Sequence, residues 1–493
     1  MSAPNISSFI KRFRDIMRND PGINGDAQRI EQIAWMLFLK VYAAKEEERA
    51  AREENFSSII PEPCRWCNWA ADNPDPARCP TGPALLDFVN NTLFPTLRSL
   101  PVTEKTPPAQ AIVQAAFADA HNYMKDGVLL RRVLNLIDEI DFGDYTQSHA
   151  FADIYESLLK ELQNAGTAGE FYTPRAVTDF MAEMIRPQLG ETMADFACGT
   201  GGFITSWLKA LQPAVKRADD FRLWADSFIG VEKKPFPFML CLTNLLLHDA
   251  EAPRITHGNS LAHDVLDYTE RDRVDVILMN PPYGGSEKAD IKTHFPDDLA
   301  SSETADLFMA VILYRLRRNG RAAVVLPDGF LFGSDTAKLT IKQRLLSEFN
   351  LHTIVRLPAS VFAPYTSITT NILFFDATGP TKETWFYRLD MPQGYKHFSK
   401  TKPMRSEHFD PLRRWWKART PLGDDAAPQA RAFSAEQLAA LGYNLDQCGF
   451  PHTEEEILPP RDLILRYREE RASLNAEIDR VLAELQAKIG IDA

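Results

Sequence analysis

The chain has 493 residues, 45% of them apolar and 25% charged, and a formal net charge of -12. That length predicts a multidomain globular protein with ample material for a core, and the acidic balance excludes a surface that grips nucleic acid all over by counterion release, while leaving room for a local basic groove or a partner that supplies the phosphate contacts. No apolar run approaches the roughly 20 residues that span a bilayer, which excludes a membrane protein, and the 6 cysteines show no disulfide framework, as expected in the cytoplasm.

The opening stretch "MSAPNISSFIKRFRDIMRND" alternates apolar and charged residues and lacks the continuous apolar core of a secretory signal. Phe9, Phe13, Ile16 and Met17 share a helical face there. "DAQRIEQIAWMLFLKVYAAKEEE" carries Ile30, Ile33, Leu37 and Val41 at helical spacing behind an expected N-cap at Asp26. Further periodicity in "ALLDFVNNTLFPTLRSL" and "VLLRRVLNLIDEI" predicts a helical packing domain over residues 1–145, with no chemistry visible in it. Between these helices Cys64, Cys67 and Cys79 form C-x2-C followed by a third thiol. A tetrahedral zinc site needs a fourth ligand and none follows closely, so the thiols are read as structural and no metal is assigned.

From about Tyr145 the texture changes to short β-branched runs alternating with helical segments, the pattern of a parallel sheet with crossover helices. The candidate strands are "MADFA", "SFIGVE", "VDVILMN", "AAVVLP", "HTIVRLP" and "TNILFF". They predict a doubly wound, Rossmann-like α/β domain over residues 146–415, with ligands at the carboxyl ends of the strands. Beyond Thr378 the pattern fades, and "KARTPLGDDAAPQARAF" reads as a polar linker. Residues 416–493 close with a C-terminal helical extension, where Tyr467, Leu474, Ile478, Val481 and Leu485 make a narrow apolar seam among many charges. Such a stripe is expected to dock on a partner helix.

Chemistry concentrates at the strand ends. In "DFACGTGGF", Gly199, Gly201 and Gly202 let the backbone approach a ligand and leave helix N–H groups pointing at it. Glu232, closing "SFIGVE", is placed to accept both hydroxyl protons of a ribose, so the cofactor should contain a nucleoside. The Lys-Ser/Thr pair of a triphosphate-binding loop is missing. In "ITHGNSL", Asn259 offers an amide to an adenine edge. In "NPPY", the amide of Asn280 and the carbonyl of Pro281 are two acceptors at a strand end, where proline supplies no competing N–H. Together they accept two N–H bonds from one planar amino group and localise its lone pair, while Tyr283 offers a face to a flipped base. The chemistry expected is transfer to an amino nitrogen.

"DFACGTGGF" followed by "NPPY" resembles the S-adenosylmethionine-dependent amino methyltransferases, and "GEFYTPRAVTDFM" is similar to the segment before the cofactor loop in modification subunits of type I restriction-modification systems. "GVEKKPFPFMLCLTNLLLHD", "ETADLFMAVILYRLRRNGRAAVVLPDGFLFG", "TSITTNILFF" and the helical N-terminal region share that similarity, which therefore covers most of the chain. The resemblance implies that Asp195, Gly199 and Gly201 hold S-adenosylmethionine, with Glu232 on its ribose, Asn259 facing its adenine, and Phe171, Thr173 and Pro174 at its methionine end. Tyr172, Thr200, Gly202 and Ser260 belong to the same cofactor segments. Asn280, Pro281, Pro282 and Tyr283 would receive a DNA adenine for methylation at N6. It also implies partners: a specificity subunit that reads a two-part DNA site, a second modification subunit flanking it, and a restriction motor-nuclease subunit. Two positions depart from the family pattern: Phe196 stands where proline is usual, and Asn259 where aspartate is frequent. The first is expected to alter packing, the second to lower cofactor affinity modestly. The motif alone leaves open cytosine N4, a protein glutamine amide, or an idle scaffold.

Overall fold

The computed structural model describes residues 6–75, 77–140, 155, 172–363, 366, 368–399, 402–423, 428–449 and 460–489. Helices make up the first part of the chain. Along α1 (Ile6–Met17), Phe13, Ile16 and Met17 are buried, and along α2 (Asp26–Arg52), Ile30, Ile33, Leu37 and Val41 face the core. One detail differs from expectation: Gly25, at φ 97°, takes the N-cap position, and Asp26 is the first helical residue. Glycine reaches that φ without a Cβ clash, so the chain turns one residue earlier. α3 (Pro108–Phe117) and α4 (Gly127–Asp138) follow, the latter capped by Asp126, whose carboxylate accepts the Val128 and Leu129 N–H groups.

Arg131 of α4 organises the cysteine-bearing loop. Its guanidinium donates to the carbonyls of Pro80 at 2.9 Å, Ala70 at 2.8 Å and Trp69 at 2.5 Å. Cys64 is buried and Cys67 exposed, and among the described residues no three His, Cys, Asp or Glu side chains gather as metal ligands.

The remainder is built on one sheet of β1 (Met193–Asp195), β2 (Phe228–Glu232), β3 (Ile255–His257), β4 (Val274–Met279), β5 (Leu316–Pro327), β6 (Asn350–Arg356), β7 (Thr370–Asp376), β8 (Glu383–Arg388) and β9 (Ala430–Ser434). The order across it is β3-β2-β1-β4-β5-β7-β6-β8-β9. All the candidate strands are present, but the sheet is mixed: β7 runs antiparallel to both β5 and β6, and β9 antiparallel to β8. A strand buried on both faces has the same apolar run in either direction, so composition did not reveal the reversal. The stretch read as a linker ends in β9, which pairs with β8 from Ala430 to Ser434.

Side chains alternate between two cores along β4: Val276 and Leu278 enter one, Ile277 and Met279 the other. The first core is shared with α5 (Arg175–Ile185) and α6 (Gly202–Leu211). α7 (Pro235–Leu247) is buried on all sides: Phe238, Leu242 and Leu246 enter the core of the N-terminal helices, while Cys241 and Leu245 enter the first sheet core. α8 (Thr304–Arg315) and α9 (Thr336–Ser347) cover the other face.

Residues up to Gly449 form one compact unit, and Phe450–Ala493 a second. The second contains α10 (Pro460–Ile489), on which Tyr467, Leu474, Ile478 and Val481 of the expected seam are exposed. No helix among the described residues is long and apolar enough to cross a membrane.

Candidate active site

The strand order reverses between β1 and β4, with β2 and β3 to one side and β5 to the other. Such switch points open a crevice at the carboxyl ends of the strands. Parallel pairing of Ala194 with Ile277 and of Asp195 with Gly230 brings Asp195, Glu232 and Asn280 to that one edge.

The turn after β1 needs its glycines. Gly199 at φ 54° and Gly201 at φ 80° are left-handed, a region costly for residues with a Cβ. A Cβ on Gly201 would also sit 2.9 Å from Cys241 Sγ, and one on Gly202 would sit 2.6 Å from Arg175 Nη1. From below, Asn244 of α7 donates its Nδ2 to the Thr200 carbonyl at 2.9 Å. From the side, the Glu232 carboxylate accepts the N–H groups of Gly199 and Lys234, both at 2.8 Å.

Asp195 is buried and accepts the Ala197 N–H at 3.2 Å. Burial pushes its carboxyl pKa up to about 8; the Ala197 hydrogen bond opposes the shift and the neighbouring Glu232 charge adds to it. A cation entering beside it would draw it back to the carboxylate form. Asn259 uses its side-chain oxygen to cap the turn Ser260–Ala262, accepting Leu261 N–H at 3.1 Å. Ser260 Oγ donates to the Phe196 carbonyl at 2.6 Å, which pins the loop after β3 to the glycine turn. Phe196 itself is buried, with the Arg315 guanidinium 4.6 Å over its ring.

At the end of β4, Asn280 Nδ2 donates to Thr173 Oγ1 at 3.0 Å, while its Oδ1 is buried without a donor among the described residues. Pro281 is buried and Pro282 exposed. Tyr283 is 8% exposed and packs in the second sheet core, and burial raises its hydroxyl pKa above the ordinary range. Tyr172, Thr173 and Pro174 are half-buried, whereas Phe171 lies outside the described residues.

Hydrogen bonds therefore join the glycine turn, Glu232 and the Asn259–Ser260 loop into one wall, and a separate bond joins Thr173 to Asn280. Asn244 and Arg175 escaped the sequence reading. Asn244 had a signal, being an amide inside the apolar run "FMLCLTNLLL". The cradle of left-handed glycines, the buried acid and the Glu232 carboxylate at the end of β2 fit a nucleoside that carries positive charge.

Comparison with known proteins follows the same lines. The family described as N-6 DNA Methylase matches residues 146–457, and the HsdM N-terminal domain matches residues 6–137. The type I restriction enzyme EcoEI methylase subunit of Escherichia coli is 46% identical over 478 residues, covering 95% of each chain. The StySPI methylase subunit of Salmonella potsdam is 29% identical over 415 residues, covering 78% of this chain and 71% of that one. Among solved structures, a modification subunit ascribed to a type I restriction enzyme of Vibrio vulnificus YJ016 has a TM-score of 0.77 at 40% identity, covering 88% of this chain and 92% of that one. A chain from a structure of type I restriction-modification complex assembly has a TM-score of 0.79 at 34% identity, covering 99% of both.

Proposed function

The chain belongs to the N-6 DNA methylase family, among the type I methylase subunits, and from that premise we propose that it methylates the exocyclic N6 of adenine in DNA with S-adenosylmethionine as donor. The observation that carries this reading is the state of Asn280: an amide fixed by Thr173 at the end of β4, the strand paired with β1, with its oxygen buried and without a donor among the described residues. A buried acceptor with no partner is costly, and a target amino group brought out of the duplex satisfies it.

The residues present fit the donor. Gly199 and Gly201 give its backbone cradle, Glu232 accepts its ribose hydroxyls, and Asp195 faces its positive charge. When bound, S-adenosylmethionine supplies an electrophilic methyl carbon on a sulfonium. Asn280 Oδ1 and the Pro281 carbonyl accept the two N–H bonds of the adenine amino group and turn its lone pair out of conjugation. Positioning and preorganised acceptors then carry the rate, with no covalent enzyme intermediate.

Sequence choice belongs to a specificity subunit in this reading, with two modification subunits flanking it and a restriction subunit able to join, in the cytoplasm. The acidic net charge and the exposed stripe of α10 support dependence on partners. Family membership favours adenine over cytosine N4 or glutamine, and the intact acceptor geometry favours catalysis over a scaffold.

The test is expression in a host without DNA methylation, alone and with the neighbouring subunits, with modified bases mapped by long-read sequencing. Methyladenine at a gapped two-part site, appearing only with the partners and absent in Asn280→Ala, is the expected result. Absence of DNA methylation in every combination overturns it.

A further inference from the structure

α7 has two unlike faces, and the one beneath the glycine turn is not explained by packing alone. Asn244 is fully buried, donates to the Thr200 carbonyl at 2.9 Å, and leaves its own Oδ1 without a donor among the described residues. Leucine would fill this position in an otherwise apolar helix without a half-satisfied amide. One turn earlier, Cys241 stands against Gly201, so that a Cβ there would meet its Sγ at 2.9 Å. The two side chains form the floor on which the turn rests. The other face belongs to the N-terminal helices, whose core takes in Phe238, Leu242 and Leu246. Tyr155 donates its hydroxyl to the Leu240 carbonyl at 3.0 Å, and Lys45 of α2 donates to Asp249, just beyond the end of α7, at 2.9 Å.

We infer that Asn244 is a positioning residue that holds the glycine turn in its cofactor-binding shape, and that α7 makes this hold depend on the N-terminal helical region. The helices that carry no chemistry thereby take part in cofactor affinity. This rests on reading the turn as the S-adenosylmethionine site.

The full-length chain is compared with Asn244→Leu, which keeps the branched shape and removes the donor, and with Asn244→Ser, which keeps a shorter donor. S-adenosylmethionine affinity is measured by calorimetry, and amide exchange of residues 199–203 is followed without cofactor. Asn244→Leu is expected to weaken binding about tenfold and to speed exchange in the turn, with an unchanged or higher melting temperature, and Asn244→Ser to recover part of the loss. In the assembled complex KM for the cofactor rises while kcat at saturation changes less than about threefold. Lys45→Met, far from the turn, weakens binding about threefold, and its effect shrinks in the Asn244→Leu background because both act through one helix. Wild-type affinity and exchange in Asn244→Leu overturn the positioning role; strictly additive losses overturn the dependence through α7. A folded wild-type chain that binds no S-adenosylmethionine overturns the reading of the turn, and this inference with it.

Discussion

Thr173 Oγ1 accepts a 3.0 Å hydrogen bond from Asn280 Nδ2, and this leaves Oδ1 as the end of the amide that remains available. With the amine committed, the oxygen is the end presented, and that is the polarity an incoming amino group requires. Thr173→Val keeps the shape and removes the acceptor. Single-turnover methylation in the assembled complex should fall about tenfold, and Thr173→Ser should restore most of it. An unchanged rate in the valine variant would show that the amide is oriented by something else.

Asn280→Ala removes the acceptor itself. Transfer should drop by at least about 100-fold, while S-adenosylmethionine binding, measured calorimetrically, stays within about twofold because the glycine turn is untouched. Turnover near wild type would sink the role assigned to this amide.

Asp195 gives a pH signature. Its folded pKa of about 8 lies above the ordinary 3.8, so the folded chain holds this proton more tightly than the unfolded chain does. Its contribution to stability is therefore complete below pH 3.8 and is lost as the pH rises through about 8. A bound cation reverses the shift, so loading with S-adenosylmethionine at pH 7 should release close to one proton. Calorimetry in buffers of different ionisation enthalpy reads this directly, and Asp195→Asn should abolish the release. Equal heats in all buffers would mean that the acid is already ionised.

Gly201→Ala meets two separate obstacles, a left-handed φ of 80° and the Cys241 sulfur 2.9 Å from the new Cβ. The backbone term alone costs roughly 1–2 kcal/mol, and cofactor affinity should fall more than about tenfold. Adding Cys241→Ala removes the contact and leaves the φ penalty, so recovery should be partial. Full recovery would assign the whole effect to the contact.

Deleting residues from Pro460 onward removes α10 and its exposed Tyr467, Leu474, Ile478 and Val481. Assembly with the specificity subunit should be lost on a sizing column, whereas S-adenosylmethionine binding persists because that site lies wholly in the first compact unit. Normal assembly of the truncated chain would remove α10 from the interface.

How far the sequence reached depends on whether a feature is local. β4 was legible because "VDVILM" is buried and apolar at every position but Asp275. β9 was not: only Ala430 in "ARAFS" is buried, as befits an edge strand, so no apolar run marks it. The glycine turn announced itself because left-handed φ angles restrict residue type at fixed positions. Asn244 meets Thr200 across 44 positions and Asn280 meets Thr173 across 107. Motifs flagged Thr173 and Asn280 individually, but a contact closed only by the fold leaves no spacing to read.

The bare stripe on α10 also bears on supply. Ile464, Leu465, Leu474, Ile478, Val481 and Leu482 are exposed on one helix, and apolar side chains in such a row invite association with whatever apolar surface is nearest. In the proposed assembly, a copy synthesised beyond the number of its partners carries that row uncovered, open to chaperones, proteases and other surplus copies. The steady amount of competent protein is then governed by the ratio in which the subunits are translated, and raising this chain alone adds clients for quality control before it adds methyltransferase.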